Sequence, residues 1–261
     1  MIDLAGHEDV PVPEDVLREL AAACRTVGVE FLVIGAAARD LVIHSQQRTA
    51  PVRATKDIDI AVAVRDDDHF RALTQVLARK GSAPHKFTVL GVEIDVIPFG
   101  GNEVGRAVTF SDGSVFDATG IAEAHATSVT VRLPKGTVVQ VASPAALTAL
   151  KILAWSERHE DNPKDAIDLA TILNALSESP FDDDVWNDDE ALEATDADIV
   201  AAASYHCAKI AARPFAPPDG QKVLDILGEP VQRRLLIRQM RSAMAADLVD
   251  AYARGFAAGL I

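Results

Sequence analysis

Two carboxylates that could bind a metal ion stand two residues apart in the segment from Asp57 to Ile60. Side chains alternate between the two faces of a β-strand, so Asp57 and Asp59 share one face and the two isoleucines share the other. Two acids on one face repel each other unless a cation lies between them, and hard divalent cations such as Mg²⁺ bind such oxygens. The segment therefore predicts a site for one or two Mg²⁺ ions.

A third carboxylate follows on a later apolar segment, residues 91–98, which contains Glu93 and Asp95. If this segment is a strand, alternation places Glu93 and Asp95 on the same face. A strand that carries Asp95 next to the strand that carries Asp57 would complete a three-acid site. The alternative interpretation is that Asp95 is an exposed strand acid without a ligand.

A glycine turn precedes the paired acids. Residues 31–34 are apolar and predict a strand, Gly35 predicts a turn, and the residues from Ala36 onward predict a helix. Backbone N–H groups at a helix N-terminus, beside a residue without a side chain, can hold a phosphate. We therefore predict that Gly35 and Ala36 contact a nucleotide, because a phosphate site next to a metal site is typical of nucleotide chemistry.

A lysine and an arginine on a later helix could contact the same nucleotide. The period of the apolar residues changes to helical after residue 143, and Lys151 and Arg158 fall on one face of the first helix. Both could donate to a triphosphate, Lys151 as a compact point charge. The alternative is an ion pair between helices, from Lys151 to Asp165 or Asp168. Both interpretations can hold together, because an aspartate can orient the lysine.

Other basic residues could also contact phosphate. Arg53 and Lys56 flank the acid strand, where surface solvation is the favoured interpretation. The stretch 206–241 carries seven bases against three acids. Three of these bases share a helical face: Arg234, Arg238 and Arg241. They could bind an RNA backbone, although we favour a face that pairs with the acidic run at 182–198.

The order of these motifs resembles the polymerase beta-type nucleotidyltransferase superfamily, whose signature is a Gly-Ser or Gly-Gly turn, an Asp-x-Asp strand and a third Asp. Within it, the segment from about Val29 to Leu176 most resembles the AbiEii/AbiGii toxin-like nucleotidyltransferases of abortive-infection and toxin–antitoxin systems. The resemblance implies Mg²⁺-dependent transfer of a nucleoside monophosphate from a nucleoside triphosphate to an acceptor hydroxyl. The catalytic and metal-binding residues would be Asp57, Asp59 and Asp95.

The same resemblance implies that Lys151, Arg158 and Asp168 lie near the nucleotide. It also implies tRNA as an acceptor and a cognate antitoxin as a partner, with a protein or small-molecule acceptor left open. Ala36 departs from the family pattern, because it removes a hydroxyl contact to the phosphates. One alternative is therefore a catalytically weakened nucleotide- or partner-binding protein, and another is a small-molecule nucleotidyltransferase of the antibiotic-resistance kind.

Composition narrows the class of protein. A chain of 261 residues with 49% hydrophobic and 25% charged residues is typical of globular proteins. The formal charge of −14 argues against a broad basic surface for nucleic acid but leaves a local patch open. Cys24 and Cys207 lack the spacing of a zinc site or disulfide framework. Without a long apolar run or a signal-like N-terminus, we expect a cytoplasmic protein that does not contact membranes.

The elements that must position these side chains predict an α+β fold. We expect a nucleotidyltransferase-type mixed β-sheet flanked by helices over residues 1–142, which forms the catalytic lobe. A helical lobe over residues 143–261 would complete the nucleotide site. Among the helices, the apolar periodicity predicts one from Asp66 to Lys80, closed by Gly81, and a long one from about Pro230 to Leu260.

Overall fold

A mixed β-sheet organises the N-terminal part of the chain. The computed structural model describes residues 1–7, 9–51, 57–160 and 162–260, so Arg53 and Lys56 lie outside the described residues. Contacts divide the chain into two units, Met1–Ser143 and Pro144–Ile261. In the first unit the sheet has the strand order β1-β9-β10-β2-β3-β6-β5-β4.

The strands of this sheet are rich in β-branched residues, which suit a pleated surface with one or both faces buried. Their bounds are β1 Ile2–Asp3, β2 Glu30–Ile34, β3 Asp57–Val64, β4 Ala78–Arg79, β5 Lys86–Val89, β6 Val92–Gly100, β9 Val129–Arg132 and β10 Val138–Val141. A separate two-stranded sheet is formed by β7 Ala107–Thr109 and β8 Val115–Asp117. At the centre, β3 runs antiparallel to β2 and parallel to β6.

Helices connect these strands. Their bounds are α1 Glu14–Val27, α2 Gly35–Arg39, α3 Ser45–Gln47, α4 Asp67–Val76 and α5 Ile121–Ala126, with a π-helical segment Asp40–His44 between α2 and α3. Gly28 closes α1 in the left-handed conformation at φ 74°.

The prediction of a helix from Asp66 to Lys80 is wrong at its C-terminal end. Asp66 caps α4 by accepting a hydrogen bond from the His69 backbone N–H, but the helix stops at Val76. Leu77 is extended, and the following β4 pairs with β5 at the edge of the sheet. The backbone hydrogen bonds of this edge strand replace those of a further helical turn, and local periodicity does not report such a partner.

The second unit is helical. Its helices are α6 Pro144–Arg158, α7 Lys164–Ala175, α8 Asp182–Trp186, α9 Asp189–Ala194, α10 Ile199–Ala212, α11 Pro217–Gly228, α12 Pro230–Met240 and α13 Ala245–Gly259. The predicted long helix from Pro230 to Leu260 is therefore two helices, which separate at Arg241 because this residue adopts a left-handed φ of 54°. Gly255 and Gly259 let α13 approach the backbone of α10, where a Cβ would overlap the carbonyls of Tyr205 and Lys209.

The α+β fold class is confirmed, with a large mixed sheet in the first unit and helices in the second. Within the described parts of the chain, no helix combines the length and the apolar character that a membrane crossing requires.

Candidate active site

The register of two parallel strands brings the predicted acids together. Asp59 on β3 is paired with Asp95 on β6, and Asp57 is paired with Glu93. Paired residues on neighbouring strands project from the same face of a sheet, so four carboxylates lie side by side. Three residues that alternate with the acids and face the other side are buried: Ile58, Ile60 and Ile94. Because burial of that face fixes the register, the acids must occupy the other face.

Three of these carboxylates form a compact cluster. Each of Asp57, Asp59 and Asp95 offers one carboxylate oxygen, and these oxygens lie within 4.8 Å of one another. All three side chains are half-buried. Oδ1 of Asp95 is buried and accepts no hydrogen bond from a described residue. Three carboxylate oxygens this close together suit a hard divalent cation such as Mg²⁺.

Gly35 lies directly against this cluster. It starts α2 with φ 67°, and a Cβ built on it would lie 2.9 Å from Cγ of Asp59 and closer still to Oδ2. No residue with a side chain fits this position without moving the carboxylate. Glycine is therefore required twice, for its positive φ and for the close approach of the backbone to Asp59.

A buried ion pair follows the glycine. Arg39 donates to Oδ1 of Asp40 from Nε at 2.9 Å and from Nη2 at 2.6 Å. Both side chains are almost fully buried, with 3% and 0% of their surface exposed. A charge this deeply buried needs a partner of opposite sign, and the two side chains supply it for each other beside the glycine turn.

Lys86 is a cation beside the cluster that sequence reasoning missed. Its Nζ donates to Oε1 of Glu93 at 2.8 Å and lies 3.4 Å from Oδ1 of Asp95. The hydrogen bond to Glu93 raises the pKa of Lys86 and lowers that of Glu93. A signal was available, because a two-residue turn at Leu90 and Gly91 places Lys86 opposite Asp95 in the hairpin.

In the second unit, the structure brings together the predicted basic and acidic residues of α6 and α7. Lys151 is buried and donates to Oδ1 of Asp165 at 2.9 Å and to Oδ2 of Asp168 at 2.7 Å. Arg158 forms two further hydrogen bonds to Asp165, at 2.7 and 3.0 Å. The ion pair between helices, which was the alternative interpretation for Lys151, is thus present.

The network favours the charged forms of Lys151 and Asp165. Burial opposes the charged form of Lys151, but Asp165 and Asp168 outweigh that effect and raise the pKa of Lys151. Burial alone would also raise the pKa of Asp165, whereas Lys151 and Arg158 together lower it to about 2. Each charge is therefore compensated by a partner within hydrogen-bonding distance.

Comparison with protein-family models matches residues 49–258 to the family described as nucleotidyl transferase AbiEii toxin, type IV TA system. The chain belongs to the AbiEii nucleotidyltransferase toxin family. The matched residues contain the three acids of the cluster and the Lys151 network, whereas Gly35 and Ala36 precede them. As an AbiEii family member, the protein is a nucleotidyltransferase.

Among solved structures, the AbiEii chain is similar to one described as the solution structure of the antibiotic-resistance factor ANT(2'')-Ia, with substrate-regulated conformation dynamics. The two share 14% identity, the likeness covers 62% of this chain and 82% of that chain, and the TM-score is 0.37. Comparison with curated protein sequences finds no match.

Three arginines of the AbiEii chain, Arg234, Arg238 and Arg241, do not pair with the acidic run at 182–198. The prediction that they pair with it is therefore wrong. Arg234, Arg238 and Arg241 are exposed, and none forms an ion pair with a carboxylate of the described residues. Two acids of the run, Asp188 and Glu190, contact Lys209 of α10 instead. We define Arg234, Arg238 and Arg241 as the arginine face.

The Lys151 network predicts a large stability effect. Replacing Asp165 with asparagine removes one buried charge and leaves Lys151 with a single carboxylate. We expect the free energy of unfolding to fall by about 2 to 3 kcal/mol, since the amide oxygen still accepts hydrogen bonds. Chemical denaturation at neutral pH measures the change. The exposed Asp184→Asn, which removes the same charge, should alter stability by less than about 0.5 kcal/mol.

The pH dependence provides a second readout for Asp165→Asn. The folded protein holds the pKa of Asp165 at about 2, below its usual 3.8. Its contribution to stability is therefore present above pH 3.8 and is lost as the pH falls towards about 2. The difference between the wild type and the variant should shrink over this range. A difference that stays constant would contradict the role of the ionised carboxylate.

Proposed function

We propose that the protein transfers a nucleoside monophosphate from a nucleoside triphosphate to an acceptor hydroxyl, with Mg²⁺ held by Asp57, Asp59 and Asp95. The observation that carries this proposal is the convergence of three carboxylate oxygens within 4.8 Å on one face of the sheet. Gly35 supports it further, because its missing side chain leaves room for the Asp59 carboxylate.

The reaction forms a bond between the acceptor oxygen and the α-phosphorus and breaks the bond from that phosphorus to the oxygen that joins it to the β-phosphorus. This oxygen leaves as a terminal oxygen of pyrophosphate. When bound, Mg²⁺ supplies positive charge that favours loss of the hydroxyl proton and stabilises the leaving pyrophosphate. Asp57 and Asp59 would hold the ion from β3. Asp95 lies across from Asp59 and is the group to which we assign the proton of the acceptor hydroxyl.

We further propose that Gly35 and Ala36 contact the phosphates through their backbone, and that Lys151, Arg158 and Asp168 belong to the nucleotide-binding residues. In this proposal the sheet unit is the catalytic lobe and the helical unit contributes to the nucleotide site. Among these residues, Arg158 is suited to a test by substitution, because 48% of its side chain is exposed although it binds Asp165. We expect Arg158→Gln to weaken triphosphate binding about tenfold in calorimetry, since one charge-assisted hydrogen bond is lost.

The experiment for the proposed activity uses α-labelled nucleoside triphosphates, Mg²⁺ and total RNA from the growth host. We expect label to enter an acceptor and pyrophosphate to be released in equal amount, and chelation by EDTA should stop both. Screening the four triphosphates separately identifies the nucleotide. An absence of transfer together with an absence of triphosphate binding would overturn the proposal.

We propose RNA, of which tRNA is the candidate, as the acceptor. The support is the arginine face, whose three side chains are exposed and form no ion pair with a carboxylate of the described residues. Arg234 and Arg238 lie one turn apart on α12, and Arg241 follows its last residue. Backbone hydrogen bonds lower the pKa of Glu229, and the charge of Arg234 helps to lower it. In a chain with a formal charge of −14, three exposed arginines that form no ion pair among the described residues favour a ligand of opposite charge. Arginine matches the geometry of phosphate oxygens.

Alanine substitution of all three residues of the arginine face should weaken RNA binding by about tenfold or more and reduce its salt dependence, because up to three phosphate contacts disappear. Fluorescence anisotropy with labelled tRNA over a range of potassium concentrations measures both. A matched control replaces three exposed arginines that already pair with acids: Arg18, Arg71 and Arg132. Equal losses in both triple variants would show that only net charge matters.

The family description names a toxin of a type IV TA system. We therefore propose that the protein arrests growth in the cytoplasm and that a cognate antitoxin counteracts it. Both cysteines, Cys24 and Cys207, are free and buried, in keeping with a reducing compartment. Expression of the protein alone in a bacterial host should stop growth, and co-expression of the neighbouring gene should restore it.

A further inference from the structure

Lys86 projects into the acid cluster from the neighbouring strand. Because β5 pairs with β6 in antiparallel register and Lys86 lies opposite Asp95, the two side chains leave the same face of the sheet. Nζ of Lys86 lies 3.4 Å from Oδ1 of Asp95 and donates a hydrogen bond of 2.8 Å to Oε1 of Glu93. One ammonium group thus contacts both carboxylates of β6.

The Asp95 oxygen that faces Lys86 has no other compensation in the described part of the chain. It is buried and accepts no hydrogen bond there, and 18% of the Asp95 side chain is exposed. A carboxylate removed from water costs free energy unless a positive charge or a donor lies close by. The ammonium group supplies this charge when no metal ion does.

A divalent ion on the same oxygens would become a neighbour of like charge to Lys86. Two cations a few ångström apart in a half-buried site repel each other by more than they would in water. Glu93 offers a second position for the ammonium, because its hydrogen bond to Lys86 is shorter than the contact with Asp95. The Lys86 ammonium group can therefore keep its hydrogen bond to Glu93 and give up its contact with Asp95.

We propose that Lys86 is the built-in counter-ion of the acid cluster, which holds Asp95 in the metal-free protein and competes with the divalent cation for that carboxylate. Lys86 is a positioning residue in this proposal, because it acts through Asp95. The inference rests on the proposed metal site and adds a residue that sets its affinity. Removing the positive charge should therefore tighten metal binding and leave the metal-free protein less stable.

The test measures Mn²⁺ binding by the electron paramagnetic resonance signal of the free ion, with the full chain and no nucleotide. We expect Lys86→Met to bind Mn²⁺ about three to ten times more tightly than the wild type, since one unit charge leaves the site. The matched control is Lys80→Met. Lys80 also contacts Glu93, at 3.4 Å, but does not contact Asp57, Asp59 or Asp95. The affinity of Lys80→Met for Mn²⁺ should therefore differ from that of the wild type by less than about twofold.

Two further variants separate charge from folding. Lys86→Gln is neutral but can still donate to Glu93, and we expect the same tightening as in Lys86→Met. Lys86→Arg retains the charge and should bind Mn²⁺ as the wild type does. In thermal denaturation, both neutral variants should melt below the wild type without metal and should gain more from added Mn²⁺ than the wild type gains.

Three results would overturn the inference. If both neutral variants bind Mn²⁺ as tightly as the wild type or more weakly, and the wild type does bind it, the inference fails while the proposed metal site stands. An equal tightening in Lys80→Met would assign the effect to net charge and not to the Asp95 contact. A wild type that binds no Mn²⁺ would overturn the inference and the proposed metal site together, so the failure of each is distinguishable.

Discussion

Replacement of Asp59 with asparagine should lower nucleotidyl transfer by about a thousandfold. Asp59 lies at the centre of the acid cluster, between Asp57 on its own strand and Asp95 on the next. An amide removes one negative charge from the metal site while keeping the shape of the side chain. A bound metal stabilises the charge of a transition state by several kcal/mol. Loss of about 4 kcal/mol of this stabilisation lowers the rate by about a thousandfold.

The measurement is single-turnover transfer of labelled nucleotide at saturating Mg²⁺. A matched control is Asp68→Asn, because it removes the same charge from an exposed position on α4, where Asp68 pairs with Arg71 of the same helix. Its activity and melting temperature should match the wild type. Substantial transfer by a correctly folded Asp59→Asn variant would mean that the acid cluster is not the catalytic metal site.

The second large effect is expected for Gly35→Ala. The new methyl group would overlap the Asp59 carboxylate, and the backbone would hold alanine at a φ of 67°. We expect transfer to fall by about a hundredfold, since a shift of about 1 Å in a metal-binding group is costly. The free energy of unfolding should fall by about 2 to 4 kcal/mol, from backbone strain and overpacking together.

Gly28→Ala separates these two causes. Gly28 has a similar φ of 74°, but a Cβ there would meet nothing within 4 Å. This variant should lose about 1 kcal/mol from strain alone and should keep the wild-type transfer rate. Comparing chemical denaturation and transfer in the two variants isolates the contact with Asp59. If both glycine variants lose equal stability and both retain transfer, the close approach of Gly35 to Asp59 has no role in the site.

Local periodicity was sufficient to predict the elements that carry the acids. Strand β3 begins at Asp57 and β6 contains Asp95, as their alternation indicates, because one face of each strand must be apolar to be buried. The turn between β5 and β6 was equally local. Leu90 and Gly91 both adopt positive φ, at 50° and 83°, which a two-residue hairpin turn requires.

Element ends were harder to predict where a partner distant in sequence decided them. The segment after Val76 has a helical pattern, yet Ala78 and Arg79 pair with β5 as an edge strand. The split at Arg241 likewise divides a segment that the periodicity predicts to be one helix. At β4, backbone hydrogen bonds to a distant strand override a local helical preference of less than about 1 kcal/mol per residue. At Arg241 the left-handed conformation of one residue ends the helix.

The partners of charged side chains were also hard to predict from the sequence. The sequence left open whether Lys151 binds phosphate or pairs with acids on the next helix, and the structure shows the ion pairs with Asp165 and Asp168. It also favoured pairing of the arginine face with the acidic run, whereas Asp188 and Glu190 of that run contact Lys209. Spacing along a helix shows which charges share a face, but not which opposite charge lies across from it.

The sequence by itself determined the chemistry that this protein can support: three carboxylates on apolar strands, a glycine before them, and a family pattern that extends over most of the chain. The tertiary structure alone decided which atoms meet. Strand register placed both Asp59 and Lys86 next to Asp95. Helix packing buried Lys151 between Asp165 and Asp168. The reason is that side-chain alternation is a local property of a strand, whereas register and ion pairing depend on burial shared between distant segments.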